Sequence, residues 1–487
     1  MLFRSGLVPL LVALPVAAAA LLTVLAADRP RLAWAAALLA GAATTAVALR
    51  LAAAAAGGAE LAYPVGGWSP PVGIELRFDR LSAVTVLFGF ATTLAIAFSR
   101  TLAAGYRPRP ALFYALVLVN LAGINGFAVA GDLFNLFVFM ELLSVSAYAL
   151  VAVGRERGAA LAALKYLLAG AVSSLMVLFA VGVTFALTGS LNMADVAARL
   201  PGDAPAAVGL ALAAFAAGFM VKAALFPLHF WLPDAHGSAP GPVSAMLSAL
   251  VVKTGIVGLV RIEQTFAGAG PDAVGSVLVA LGAVAIVAGG VAAFVQRELK
   301  RMLAYSTVSN IGYIALGLGL ASATAVAGGL AHVFYHGLTK AGVFLAAAAL
   351  VERTGLHGID ELRGAGYRMP WAATALAAGL VALSGVPPTA AFVGKWQIAL
   401  GALEAGRGWV VLVVLVGALL SLGYAIRMIN ALFFRAPTDR RVVAAGEAPV
   451  SMVVPLVILV GMALSAGLTG AVLIDFLRPV AEVLVGR

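Results

Sequence analysis

Residues 205–255 read PAAVGLALAAFAAGFMVKAALFPLHFWLPDAHGSAPGPVSAMLSALVVKTG. Two apolar runs of membrane-crossing length flank a short polar connection, and each carries one lysine far from its ends, Lys222 and Lys253. A hydrocarbon core about 30 Å thick takes about 20 residues of helix to cross. In lipid every backbone polar group must be paired internally, so such runs are helices. This stretch therefore reads as two transmembrane helices, each with a cation at depth.

The same reading extends outward over the whole chain. Of its 487 residues 63% are hydrophobic and 11% charged, against roughly 25% charged in soluble domains. The expectation is an all-α polytopic membrane protein with about fourteen transmembrane helices, α1–α14. They fall at about 6–27, 32–56, 81–99, 110–130, 133–153, 159–189, 205–231, 241–261, 272–295, 302–320, 323–351, 371–400, 408–433 and 450–474. The boundary between α10 and α11 is the weakest. Arg4 followed by an apolar stretch to Ala26–Ala27 has the outline of a secretory leader. Its apolar core exceeds the ~7–15 residues of a leader, so it reads as a retained first helix. With no cysteine, disulfide and thiolate–metal chemistry are excluded.

The net charge of +10 lies mainly in short loops, so it carries topology and not nucleic-acid binding. Connections after odd-numbered helices hold Arg100, Arg107 and Arg109, Arg155 and Arg157, Arg297, Lys300 and Arg301, Arg353, Arg363 and Arg368, and Arg435, Arg440 and Arg441, with Arg427 close by in α13. The positive-inside rule puts these in the cytoplasm and both termini outside. The chain reads as one membrane domain, 1–487. It divides into 1–109 (α1–α3), a first repeat 110–262 (α4–α8), an inverted second repeat 271–433 (α9–α13) and 450–474 (α14).

An ionisable group at mid-bilayer costs roughly 2.5–3.5 kcal/mol on insertion scales, so each demands a reason. Glu141 lies in α5, Lys222 in α7, Lys253 in α8, His332, His336 and Lys340 in α11, and Lys395 in α12. A buried structural ion pair would explain one lysine, but Glu141 is the lone central carboxylate against three central lysines. An unpaired buried lysine is pushed toward its neutral form, and a lysine poised between charged and neutral can carry a proton. His332, His336 and Lys340 recur every four residues, hence on one helix face. Each histidine could equally be a hydrogen-bonded core residue, but three titratable groups on one face favour a hydrated path. Lys165 in α6 and His229 after Lys222 are secondary candidates; Lys165 is near enough to the helix end to snorkel.

Two helices are broken beside their lysines. Pro227 follows Lys222 and frees the carbonyl of Ala223, and Ser384-Gly385-Val386-Pro387-Pro388 precedes Lys395. Both breaks fall on the cytoplasmic side of their lysine, as inverted repeats with a midplane site require. The alternative is a pair of proline kinks serving packing alone. His229, Asp234 and His236 cluster in sequence as a metal site would. They read instead as loop and helix-end hydrogen bonding, with His229 near a proton entrance. No phosphate-binding loop, cofactor site or metal site is expected.

The segment from Gly131, GDLFNLFVFMELLSVSAYALVA, resembles the D-type component of Mrp-type multisubunit Na⁺/H⁺ antiporters. So do the stretch from Lys222, KRMLAYSTVSNIGY from Lys300, and HGLTK from His336 to Lys340. These motifs are shared with antiporter-like membrane subunits of complex I and membrane-bound hydrogenases. GDLFN and the lysine at position 395 lean toward Mrp. The resemblance implies a non-enzymatic, proton-translocating subunit in the bacterial inner membrane, partnered by lipid and by A, B, C, E, F and G type subunits. It would exchange H⁺ for Na⁺. It implies that Glu141 pairs with Lys222, Lys253 passes protons inward, His332 and His336 continue the path, Lys340 tunes it and Lys395 closes it. The rival is a proton-pumping membrane component powered by redox chemistry elsewhere; a passive scaffold is the third class and leaves the deep lysines unexplained. Asn310 departs from the pattern, since several relatives carry histidine there.

Overall fold

The computed structural model describes residues 5–102, 105, 110–154, 158–201, 204–267 and 273–486. Arg4, Arg107, Arg109, Arg155 and Arg157 of the topology argument lie outside the described residues. All fourteen apolar segments are helical: α1 Leu10–Leu25, α2 Pro30–Ala56, α3 Val84–Phe98, α4 Pro110–Val129, α5 Leu133–Ala152, α6 Ala159–Thr188, α7 Pro205–Lys222, α8 Gly241–Thr265, α9 Ala273–Val295, α10 Leu299–Gly319, α11 Ala323–Thr354, α12 as Pro370–Ser384 and Ala390–Glu404, α13 Trp409–Phe433, and α14 as Val450–Ser465 and Gly470–Val485. Among the described residues, ten helices are long and apolar enough to cross a membrane alone, or eleven if the two parts of α14 count as one span.

Three features depart from expectation. A two-stranded antiparallel hairpin, β1 Leu61–Pro64 with β2 Glu75–Phe78, follows α2. The last helix is bent by 79° at residues 466–469 and continues to Val485 rather than ending near 474. Its second part is 16 residues long and carries Asp475, Arg478 and Glu482, too short and too charged to be a span by itself. And α7 ends at Lys222, nine residues before its apolar run does, with a short helix Leu232–Ser238 beyond the break.

The connections sort by parity. Those after even-numbered helices meet one another: Leu76 bridges Ala130, and Asp132 bridges Asn192. Those after odd-numbered helices meet on their own: Asp234 binds Lys165, at the start of α6, and Arg301 (both 2.6 Å), Glu298 bridges Gly358, and Gly364 N–H donates to Ala431 O at 2.9 Å. Close helix contact is achieved by small residues, as in other membrane bundles. Between α9 and α10, a Cβ at Gly282 would lie 2.7 Å from the Leu316 nitrogen and one at Gly289 2.6 Å from that of Ser309.

On the even-loop side a cavity of about 400 Å³ opens between the hairpin, the end of α8 and the second part of α14. Its floor is an ion pair of Arg261 with Asp79, to which Ser82 also donates. Burial pushes the Asp79 carboxyl upward, but the Arg261 charge and the hydrogen bonds outweigh it and hold it at about 2.

Candidate functional site: a buried lysine–histidine line

Each deep ionisable residue has polar partners, supplied by a neighbouring helix for all but Lys395. Lys222, the last residue of α7, is 2% exposed. Its ammonium donates to Ser144 Oγ, and Ser144 donates to Met140 O at 2.5 Å. The rings of Tyr148 and Tyr166 stand 5.9 Å from Nζ, within range of cation–π attraction. Glu141, one turn before Ser144 on α5, is half-buried and accepts from Ser174 Oγ of α6. The implied direct pair of Glu141 with Lys222 is therefore corrected: the two are not within 4.0 Å, and each is held by a serine.

The break after Lys222 is closed from its own loop. Trp231 Nε1 donates to Val221 O at 3.1 Å and its ring stacks on Tyr166 at 4.1 Å. Lys253 owes its position to a π-turn at Leu247–Val251, a local widening of α8 of the kind found at functional sites. The turn directs the Ser248 carbonyl toward Lys253, which donates to it at 2.5 Å. Lys253 Nζ also lies 2.8 Å from His336 Nδ1 on α11. The His336 and His332 rings stack at 5.9 Å and 6°. His332 Nε2 is 3.1 Å from Asn310 Oδ1 on α10. Lys253, His332, His336, Lys340 and Asn310 are all fully buried.

Lys340 sits one turn on from His336 and leaves this line, donating to Leu303 O (2.7 Å) and Ser306 Oγ (2.5 Å) of α10. Lys395 is on the second part of α12 and reaches back across the break to Leu383 O (2.8 Å) and Ser384 O (3.3 Å). The Tyr313 ring lies 4.3 Å from its Nζ, and Tyr313 is 5.9 Å from His332. The order in space is thus Glu141 and Lys222, then Lys253, His336, His332 and Asn310, then Tyr313 and Lys395. Among the described residues no hydrogen bond links Lys222 to Lys253. The two helices are nonetheless pressed together, since a Cβ at Gly255 would lie 2.4 Å from Ala223 N.

The secondary candidates stand elsewhere. Lys165 pairs with Asp234 at 2.6 Å with its side chain 47% exposed. His229 is part-buried against Phe226 and Tyr305. His236 stacks on Phe344 at 4.5 Å. Among the described residues no three His, Cys, Asp or Glu side chains converge as metal ligands would. What sequence reasoning missed is the hydroxyl and ring set: Ser144, Ser174, Ser248, Ser306, Tyr313 and Trp231. A lone serine in an apolar helix carries no signal, because its hydroxyl can always bond the preceding turn.

Residues 130–421 match the protein family described as "NADH:quinone oxidoreductase/Mrp antiporter, TM". The chain is 40% identical to the N-type component of NADH-quinone oxidoreductase from Desulforudis audaxviator, over 93% of this chain and 92% of that one. It is 29% identical to the D-type component of the Na⁺/H⁺ antiporter from Alkalihalophilus pseudofirmus, over 69% of each. A chain of the Mrp complex from Dietzia sp. DQ12-45-1b superposes with a TM-score of 0.92 at 27% identity, covering 100% of this chain and 98% of that one.

Proposed function

The chain belongs to the NADH:quinone oxidoreductase/Mrp antiporter transmembrane family, and from that premise we propose that it carries protons across the membrane along its buried lysine–histidine line. It is an antiporter-like, polytopic membrane subunit. The observation that carries the proposal is the fully buried contact of Lys253 with His336, continued through His332. Ionisable groups are rare inside a bilayer because they are costly there, and they mark proton and ion pathways among other functional sites.

The proton is held first at Lys222, whose charged form the Glu141 carboxylate nearby favours. When Glu141 and Lys222 move apart, the desolvated ammonium releases its proton toward Lys253 across the α7–α8 contact. Lys253 exchanges with His336 Nδ1 directly. His332 and then Lys395 complete the route, with Lys340 setting the field beside it. The two broken helices, each next to a lysine, support reading residues 110–262 and 271–433 as inverted repeats meeting at this midplane.

We assign the chain to a cation/proton antiporter of the Mrp type, working with other membrane subunits and exchanging H⁺ for Na⁺. The GDLFN start of α5 and the full-length superposition on a chain of an Mrp complex support this. The near-full-length identity to an oxidoreductase N-type component favours a second reading, a redox-driven proton pump. The positive loops orient the chain with both termini outside the inner membrane.

Two experiments test these readings. Glu141→Ala or Lys222→Ala should abolish proton-coupled cation exchange in everted vesicles while the assembled complex is still recovered; full activity in both variants overturns the route. Copurification separates the complexes. Small membrane subunits alone support the Mrp reading, and flavin and iron–sulfur subunits replace it with the redox one.

A further inference from the structure

The two histidines of the line present different nitrogens to their neighbours, and the difference traces to Asn310. The Asn310 Nδ2 group donates to Ser306 O, one turn earlier on α10, at 2.8 Å. A carbonyl can only accept, so this bond fixes the amide with its NH₂ toward Ser306 and its oxygen toward His332. Asn310 Oδ1 is likewise only an acceptor, and it meets His332 Nε2 at 3.1 Å. The hydrogen in that contact must therefore belong to His332 Nε2, in the neutral ring and the imidazolium alike.

That leaves Nδ1 as the one atom of His332 whose protonation can change. It is buried and has no protein hydrogen-bond partner. Its direction is set by α12: a Cβ built on Gly394 would lie 2.9 Å from it. Gly394 immediately precedes Lys395. His336 differs. Its Nδ1 faces Lys253 at 2.8 Å, and its Nε2 has no fixed acceptor.

We infer that Asn310 is a positioning residue that locks His332 as the Nε2–H tautomer, so that His332 takes up and gives back its proton only at Nδ1, on the side of Lys395. The step balances within the ring. The Nδ1 lone pair accepts H⁺ to form the imidazolium, and the same N–H bond breaks on release, while Nε2–H stays intact. A proton cannot pass through the ring from one nitrogen to the other, so His332 stores charge beside α12 instead of acting as a straight wire from α10. The tautomer follows from contacts alone; its part in transport rests on the function proposed above.

The test uses the intact complex in lipid membranes with ¹⁵N-labelled histidine. Magnetic resonance distinguishes bare from protonated ring nitrogens, and the His332 lines among the five histidines are assigned by their loss in His332→Gln. The expected result is a bare Nδ1 and a protonated Nε2 in the neutral ring. In Asn310→Leu, which removes the acceptor, signal should move to the Nδ1–H tautomer and proton flux should fall severalfold. Asn310→Asp keeps an acceptor oxygen and should retain the Nε2–H form. A neutral wild-type ring protonated on Nδ1 and bare on Nε2, or an Asn310→Leu spectrum identical to wild type, overturns the inference, and the wild-type spectrum decides even if a variant does not fold. Full flux in His332→Gln, with the tautomer as expected, removes the transport role of Nδ1 and the route proposed above while leaving the lock itself.

Discussion

The two broken helices hold their lysines by opposite means. At α7 the break is closed by Trp231, which bonds the Val221 carbonyl, and Lys222 is left to the serine hydroxyl and the tyrosine faces of α5 and α6. At α12 the lysine itself is the closure: Lys395 donates to the last carbonyls of the preceding half-helix, where the helix dipole also favours a cation. Carbonyls freed inside a bilayer must find a donor in the protein or water. In α7 that duty falls on Trp231 and not on the lysine. In α12 it falls on the lysine itself, so Lys395 cannot leave its position without exposing backbone.

The largest expected effect comes from the pair Lys395→Met and Lys222→Met, which keep side-chain bulk and remove the charge. Both should stop proton flux. Lys395→Met also strands two buried carbonyls at about 1–3 kcal/mol each, so its melting point in detergent should fall well below that of Lys222→Met, where Ser144 keeps Met140 O as its acceptor. Equal melting points would break the comparison. Next in size is an acid effect at Asp79. Its carboxyl lies at about 2 against an ordinary 3.8. A lowered native value means that its stabilisation, about 2 kcal/mol, is complete above pH 4 and is lost as the pH falls toward 2. Unfolding measured against pH in Arg261→Met should lose that slope.

Trp231→Phe sharpens the comparison further. It keeps the stacking on Tyr166 but deletes the donor to Val221 O, costing about 1–2 kcal/mol of stability with most of the flux retained; complete loss of flux would make Trp231 part of the route. The smallest effects lie at the turns. Gly385 has φ +84° and Ala224 φ +52°, a region that costs a non-glycine residue about 1 kcal/mol. Gly385→Ala should therefore destabilise by about that amount, and Ala224→Gly should stabilise by somewhat less. Chemical denaturation of the purified chain reads both.

The membrane class and the existence of the apolar helices were legible because lipid leaves the chain so few options, although the ends of α7 and α14 were not. The breaks were legible because proline removes a donor, and the lysines because lipid punishes charge. What stayed hidden were relations between helices. Nothing in LSALV announces the π-turn that aims Ser248 at Lys253, since no glycine or proline marks it. The serines between Glu141 and Lys222 are ordinary residues in sequence. Lys165 read as near enough to its helix end to snorkel, but nothing in sequence says that Asp234 comes in from the α7 break to meet it there. The bend in α14 has no proline at residues 466–469, and the three charges of its second part, Asp475, Arg478 and Glu482, interrupt the apolar run.

The glycine contacts that bring α9 against α10 have a mechanical consequence. With backbone resting on backbone at Gly282 and Gly289, that pair has no side-chain cushion to compress, so it moves as a single stiff beam. Asn310 and Tyr313 are mounted on it, while His332, His336 and Lys340 hang from α11. On the route proposed above, a stroke that opens or shuts the line would slide α11 or α12 past this rail, and a bulky substitution at Gly282 would throw the rail out of true from a point that touches none of the proposed proton carriers.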